Sequence, residues 1–280
     1  MSEDTAINQV NADTVFRRNN VRVLGRMDGP TLLLVQGFGC DQVIWNRLLP
    51  FLTDTYKVVL FDHVGTGGAD PDAYAAAKYA SLEGHLGDFT EILDVLGVQD
   101  ATVMGHSIGG TMALAASARS PRIARLVLLC TSPCYLNDEG YVGGFRPEDI
   151  AEVLDAVEAN YPLWAKMMAP AVAGADPDSE VSAELAENMC RLQPEYVRDF
   201  LQMSFAADVR HLLPQVSVPA LILQSRGDPL TPEAASRYLH ENLPGSTLMP
   251  LDTNGNMPHL SAPQLTAAAI LNYLESVPGE

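Results

Sequence analysis

The chain is poor in positive charge, in cysteine and in long apolar runs. Its 280 residues carry 17 Lys and Arg against 35 Asp and Glu, a formal charge of -18. Such a balance repels phosphate backbones and anionic lipid, so neither nucleic acid nor a membrane is expected as a partner. The acidity reads as a solvated surface that favours solubility. The four cysteines, Cys40, Cys130, Cys134 and Cys190, form no CxxC pair and no zinc spacing, which points to free thiols. No apolar run is long enough to cross a bilayer, and the polar stretch 1–20 has no apolar segment behind it. A cytoplasmic chain without a secretion signal is the expectation. No phosphate-binding glycine loop follows the first strand, and histidines and acids do not cluster at metal-ligand spacing, so no nucleotide, metal or other cofactor is expected.

What is present is enough apolar residue for a substantial core, 47% of the chain. Apolar runs of strand length alternate with helical patterns, the signature of an α/β fold with a mostly parallel sheet covered by helices on both faces. Strands are expected at 21–24, 32–36, 58–61, 101–105, 126–130, 220–224 and 246–251. Amphipathic helices are expected at 81–96 and 260–277. From Arg146 to Asp208 the alternation stops, and the segment reads as several helices punctuated by Pro162, Pro170, Pro177 and Pro194. This divides the chain into a core segment 1–145, a helical cap 146–208 and a second core segment 209–280. A cap at that point lies over the carboxyl edge of the sheet. Trp164, Met168, Phe200 and Met203, with Tyr161, Met167, Met189, Tyr196 and Phe205, are its candidates for an apolar substrate chamber.

The string Met104-Gly105-His106-Ser107-Ile108-Gly109-Gly110 sets a serine between glycines, after an apolar run and before an alanine-rich helix. That is the strand–turn–helix context of a nucleophile elbow. A serine hydroxyl needs a base to take its proton. His85 and His240 fall in expected helices, His63 follows a strand, His211 closes the cap, and His106 is expected to point away from its neighbour Ser107. His259, in the loop after the last strand, stands where hydrolases of this architecture carry the base. The orienting carboxylate should fall between serine and histidine, and Asp228 fits best, in the loop after the strand Leu221-Ile222-Leu223-Gln224; Asp252 leaves its strand too early. The attacked carbonyl oxygen gains charge and needs backbone donors. The amide of Ile108 and that of Phe38, in the loop Gln36-Gly37-Phe38-Gly39-Cys40, are the candidates.

Several stretches are more specific than these. They include Gly37-Phe38-Gly39-Cys40-Asp41-Gln42 with Trp45, Phe61-Asp62-His63-Val64-Gly65, Tyr135-Leu136-Asn137-Asp138, Gly143-Gly144-Phe145, Asp208-Val209-Arg210 and Pro258-His259-Leu260-Ser261-Ala262-Pro263. On these the chain resembles the branch of the alpha/beta-hydrolase superfamily that contains the bacterial stress regulator RsbQ and the plant strigolactone and karrikin receptors. The resemblance implies a four-helix cap in a V over a hydrophobic pocket, and a small apolar ester, lactone or butenolide as ligand. It also implies, for some relatives, signalling to a protein partner. Three positions depart from the pattern. Ser107-Ile108-Gly109 replaces Ser-Val-Ser, Cys134 replaces an arginine, and Asn256 stands where the relatives carry their catalytic histidine. Either His259 reaches Ser107, or the triad is broken at Asn256. The first gives a serine hydrolase, the second a ligand sensor or a non-hydrolytic cyclase or lyase.

Overall fold

The computed structural model describes residues 12–277. Seven strands form one sheet: β1 Arg22–Gly25, β2 Thr31–Val35, β3 Lys57–Leu60, β4 Ala101–His106, β5 Ile123–Leu129, β6 Ala220–Arg226 and β7 Ser246–Asn254. Their spatial order is β1-β3-β2-β4-β5-β6-β7. Only β1 runs antiparallel to its neighbour; every other pair is parallel. The central strands β2 and β4 are buried along their whole length, as expected for unbroken apolar runs covered on both faces.

After β2 the chain moves outward to β3, then returns to place β4 on the other side of β2. The order therefore reverses between β2 and β4. In open parallel sheets the crevice outside the carboxyl ends of such a pair is where ligands bind. Here it receives the loop 36–40 from β2 and Ser107 from β4.

The core helices α1 Leu82–Val95 and α2 Ile108–Ser117 precede the cap, which comprises α3 Pro147–Ala173, α4 Glu180–Cys190 and α5 Pro194–Ala206; α6 Glu233–Asn242 and α7 Pro263–Ser276 complete the chain. α3 is broken at Asn160, whose backbone is extended (φ -164°, ψ 85°). Pro162 disfavours helix just before itself, and Asn160 Oδ1 restarts the helix by accepting from the Leu163 amide at 3.0 Å. Four helical segments thus cover the crevice. The C-terminal pattern expected as one helix at 260–277 is two, Pro258–Ser261 and α7, because Ala262 (φ -139°, ψ 57°) leaves helical geometry ahead of Pro263. Among the described residues no helix is long and apolar enough to cross a membrane.

Candidate active site

Ser107 sits at φ 53°, ψ -125°, between β4 and α2. For a residue with a Cβ this backbone is costly, of order 1–3 kcal/mol, and persists only where its surroundings enforce it. The enforcement is visible at two glycines. A Cβ on Gly105 would stand 2.4 Å from the Gly110 Cα, and one on Gly109 would stand 2.3 Å from the Val35 carbonyl oxygen. Strand and helix therefore meet too closely for side chains, and the turn must be as sharp as it is. Ile108 opens α2, so its amide belongs to the first turn of helix donors that lack an intrahelical acceptor.

The serine faces a cavity of about 150 Å³. Its wall is apolar, with Phe38, Ile108, Trp164, Met168, Leu185 and Leu201 among the lining residues, and its polar groups are few: Ser107, Tyr135, Ser204, His106 and Asn256. Of the nine cap side chains expected there, Trp164, Met168, Met189 and Phe205 line the chamber, whereas Tyr161, Met167, Tyr196, Phe200 and Met203 do not. Phe200 packs behind the chamber against Phe38, His63, His85 and Tyr196. Met203 is turned toward a separate groove with Leu82, Ala115 and Leu212.

Ser107 is 8% exposed, and its Oγ lies 3.1 Å from the Tyr135 hydroxyl. Burial pushes the Tyr135 phenol above its ordinary range, so at neutral pH it stays protonated and offers no basic oxygen. Nothing in the spacing of the sequence singles out Tyr135. It lies in the irregular segment after β5, where no periodicity fixes direction.

Asp228, in the loop after β6, accepts the amides of Leu230 and Thr231 on Oδ1 at 2.8 and 3.0 Å. Its Oδ2 accepts from Asn256 Nδ2 at 2.8 Å. Burial raises its pKa, with these three donors and the Cys130 thiol working against that. Asn256 is nearly fully buried, and its backbone amide donates to the Val172 carbonyl at the end of α3, at 2.7 Å. Because an ionised carboxylate only accepts, Nδ2 must face Asp228 and Oδ1 must face the other way. There it meets His106 Nε2 at 2.9 Å, which lies equally close to the Asn256 carbonyl. Two acceptors at one nitrogen require the hydrogen on Nε2. Burial drives the His106 pKa down to about 4, so the ring is neutral at pH 7. The ring turns toward Asn256 and forms part of the chamber wall.

His259 is 0% exposed, and neither of its ring nitrogens has a partner among the described residues. Its ring packs at a tilt against Trp45, at 4.5 Å between centroids, and against His106, at 4.6 Å. It lies outside the set of residues that line the chamber. Burial, then the neighbouring His106, hold its pKa well below that of an ordinary imidazole. Asp252 lies on the surface, 3.3 Å from Arg226. All four cysteines are free thiols, and no group of three or more His, Cys, Asp or Glu among the described residues could hold a metal.

Residues 30–263 match the alpha/beta hydrolase fold family. The chain is 39% identical to a karrikin insensitive 2 receptor of Petunia hybrida, across 93% of this chain and 97% of the relative. It is 37% identical to a strigolactone esterase of Arabidopsis thaliana, across 87% and 91%. A solved hydrolase from Oleispira antarctica superposes with a TM-score of 0.90 at 35% identity, covering 95% of this chain and 98% of that one. With the elbow, the sheet order and the inserted helices already in hand, these matches make the chain a member of the alpha/beta-hydrolase fold family.

Proposed function

We propose that the chain takes a small apolar ester, lactone or butenolide-type molecule into the chamber beneath the cap 146–208, and that Ser107 attacks its carbonyl carbon. In this reading the amides of Phe38 and Ile108 receive the developing oxyanion. The ester carbon–oxygen bond breaks, the leaving oxygen departs with the electron pair, and the serine proton passes to solvent. Deacylation is the slow step, because it needs a base to activate water. One observation carries this: Asn256, not an imidazole, bridges Asp228 to the neighbourhood of Ser107, and its amide oxygen is occupied by His106. An amide cannot take a proton at neutral pH. Buried outside the chamber wall, His259 is not the base. Loss of one triad member leaves roughly 10³–10⁴-fold catalysis over water from the oxyanion hole and binding in a well-studied serine protease, enough for slow acylation by an activated ester.

A second reading follows from the same asparagine and from relatives named as receptors. The chamber then holds its ligand without turnover, and the cap signals occupancy to a protein partner. Intact-mass spectrometry with 4-nitrophenyl butyrate separates the two. A butyryl adduct that forms in the parent, persists, and is absent from Ser107→Ala supports the first. Rapid multiple turnover with no lasting adduct shows that a working base exists and overturns it. Binding with no adduct leaves the receptor reading.

A further inference from the structure

We propose that Asn188, in the last turn of the cap helix α4, is a positioning residue for the oxyanion loop, so that seating the cap and aligning the Phe38 amide are one event. The inference rests on the reading of Phe38 as an oxyanion donor.

Asn188 is buried, and so is its partner Asp41, three residues beyond Phe38. The two form a closed pair. Asn188 Oδ1 accepts from the Asp41 backbone amide at 3.1 Å, and Asn188 Nδ2 donates to Asp41 Oδ1 at 2.9 Å. The same Oδ1 caps the short 3₁₀ turn Gln42–Trp45 by accepting from the Val43 amide at 2.9 Å. The other carboxylate oxygen accepts from Arg191 Nε and Nη2 at 3.2 and 3.0 Å. One cap residue therefore grips both the backbone and the side chain at the end of the loop.

The next cap residue grips its middle. Gly39 has φ +80°, and a Cβ there would lie 3.2 Å from Met189 Cγ. Phe38 immediately precedes these two points in the chain, and its ring packs on the cap side chains Phe200 and Trp164, at 5.8 and 6.4 Å between centroids. The second donor, Ile108, is fixed quite differently. Ser107 N donates to the Leu129 carbonyl at 2.9 Å, and Gly109 abuts the Val35 carbonyl, both within the sheet core. The core thus sets one donor of the pair and the cap sets the other. Two donors serve an oxyanion only when both point at it, and a displacement of about 1 Å costs up to about 10²-fold in rate.

The test compares Asn188→Leu with Arg47→Gln. Arg47 also ties the core to α4, through Glu184 at 2.6 Å and Glu180 at 3.4 Å, but these pairs, half-buried and exposed respectively, do not touch the loop. With 4-nitrophenyl butyrate, the pre-steady-state burst yields the acylation rate constant and the apparent dissociation constant. Asn188→Leu is expected to lower the rate constant about tenfold or more and leave the dissociation constant within about threefold. Hydrogen exchange of the amides at 37–44 should accelerate in that variant alone. Arg47→Gln should stay within about twofold on every readout. Parent-like acylation or unchanged exchange in Asn188→Leu overturns the proposal, as does an equal loss in Arg47→Gln, which would make the effect one of cap seating in general. If Asn188→Leu does not fold, Asn188→Ser carries the same comparison. A parent without a burst sinks the ester chemistry, and exchange at 37–44 then decides the role of Asn188 by itself.

Discussion

The side-chain amide of Asn256 donates to Asp228 Oδ2 across 2.8 Å, in the place where a catalytic imidazole would donate from Nδ1. On the proposed reading, the carboxylate, its loop after β6 and the loop after β7 are set for a base that the side chain itself lacks. Asn256→His supplies it. The imidazole would keep the bond to Asp228, gain a proton-accepting nitrogen on the other side, and have its charged form stabilised by the carboxylate. Steady-state turnover of 4-nitrophenyl butyrate should rise by about 10²–10⁴-fold, the usual contribution of general acid–base catalysis, with an inflection at or above the ordinary histidine range. No gain in turnover would show that the loop after β7 cannot present a base to Ser107.

Strain at the nucleophile gives a stability prediction of opposite sign to the loss of function. Ser107 holds a positive φ, which glycine adopts without penalty. Ser107→Gly removes the hydroxyl and with it any adduct. Relief of the left-handed cost, partly offset by the greater freedom of glycine in the unfolded chain, should leave the variant as stable as the parent or up to about 1 kcal/mol more stable. Thermal melts of Ser107→Gly beside Ser107→Ala check this. Ser107→Ala keeps the strain and should gain nothing. A Ser107→Gly protein clearly less stable than both would mean that the elbow is not strained.

These two predictions draw on features of unequal legibility. All seven strands were readable to within three residues at each end, because strands buried on both faces leave unbroken apolar runs. The elbow was readable because sharp geometry demands glycine at fixed offsets. The chamber wall was only half readable. Helical periodicity assigns Phe200 and Met203 to an apolar face of α5 but does not say which neighbour that face meets, and the neighbours are His63, His85 and Tyr196 for one and Leu212 for the other. The position of His259 was read from chain order, which does not reveal that the Pro258–Ser261 turn buries the ring behind His106. Tyr135 escaped because nothing in an irregular segment encodes direction.

Chamber size should govern acyl preference. Val153 is half-buried at the wall, so a larger side chain there intrudes on the cavity without replacing a fully packed core residue. Val153→Trp should weaken binding of 4-nitrophenyl butyrate by about tenfold, the scale on which a pocket discriminates methylenes, and affect 4-nitrophenyl acetate less. The burst kinetics of the two esters measure this directly. Equal effects on both would place the acyl chain elsewhere.

Buried neutral histidines make the fold acid-sensitive. His63, His85, His106 and His259 are all held below the ordinary imidazole pKa, in each case chiefly by burial. Such a group titrates near 6.5 in the unfolded chain and lower in the fold, so the unfolded state binds more protons below that pH. Stability is full above about pH 6.5 and drains as pH falls, until the folded value is passed. For His106, with a folded value of about 4, the loss amounts to about 3 kcal/mol over that window. Asp228 works the other way: its raised pKa lets the fold take up a proton earlier, and its cost is relieved in acid. His259→Leu removes one titrating group of the four. Between pH 7 and pH 5 the variant should lose less stability than the parent, measured by urea unfolding at each pH, while its acylation by 4-nitrophenyl butyrate stays unchanged. A variant whose pH dependence matches the parent would mean that His259 is already protonated, or hydrated, inside the fold. One that loses acylation would return His259 to the chemistry of Ser107.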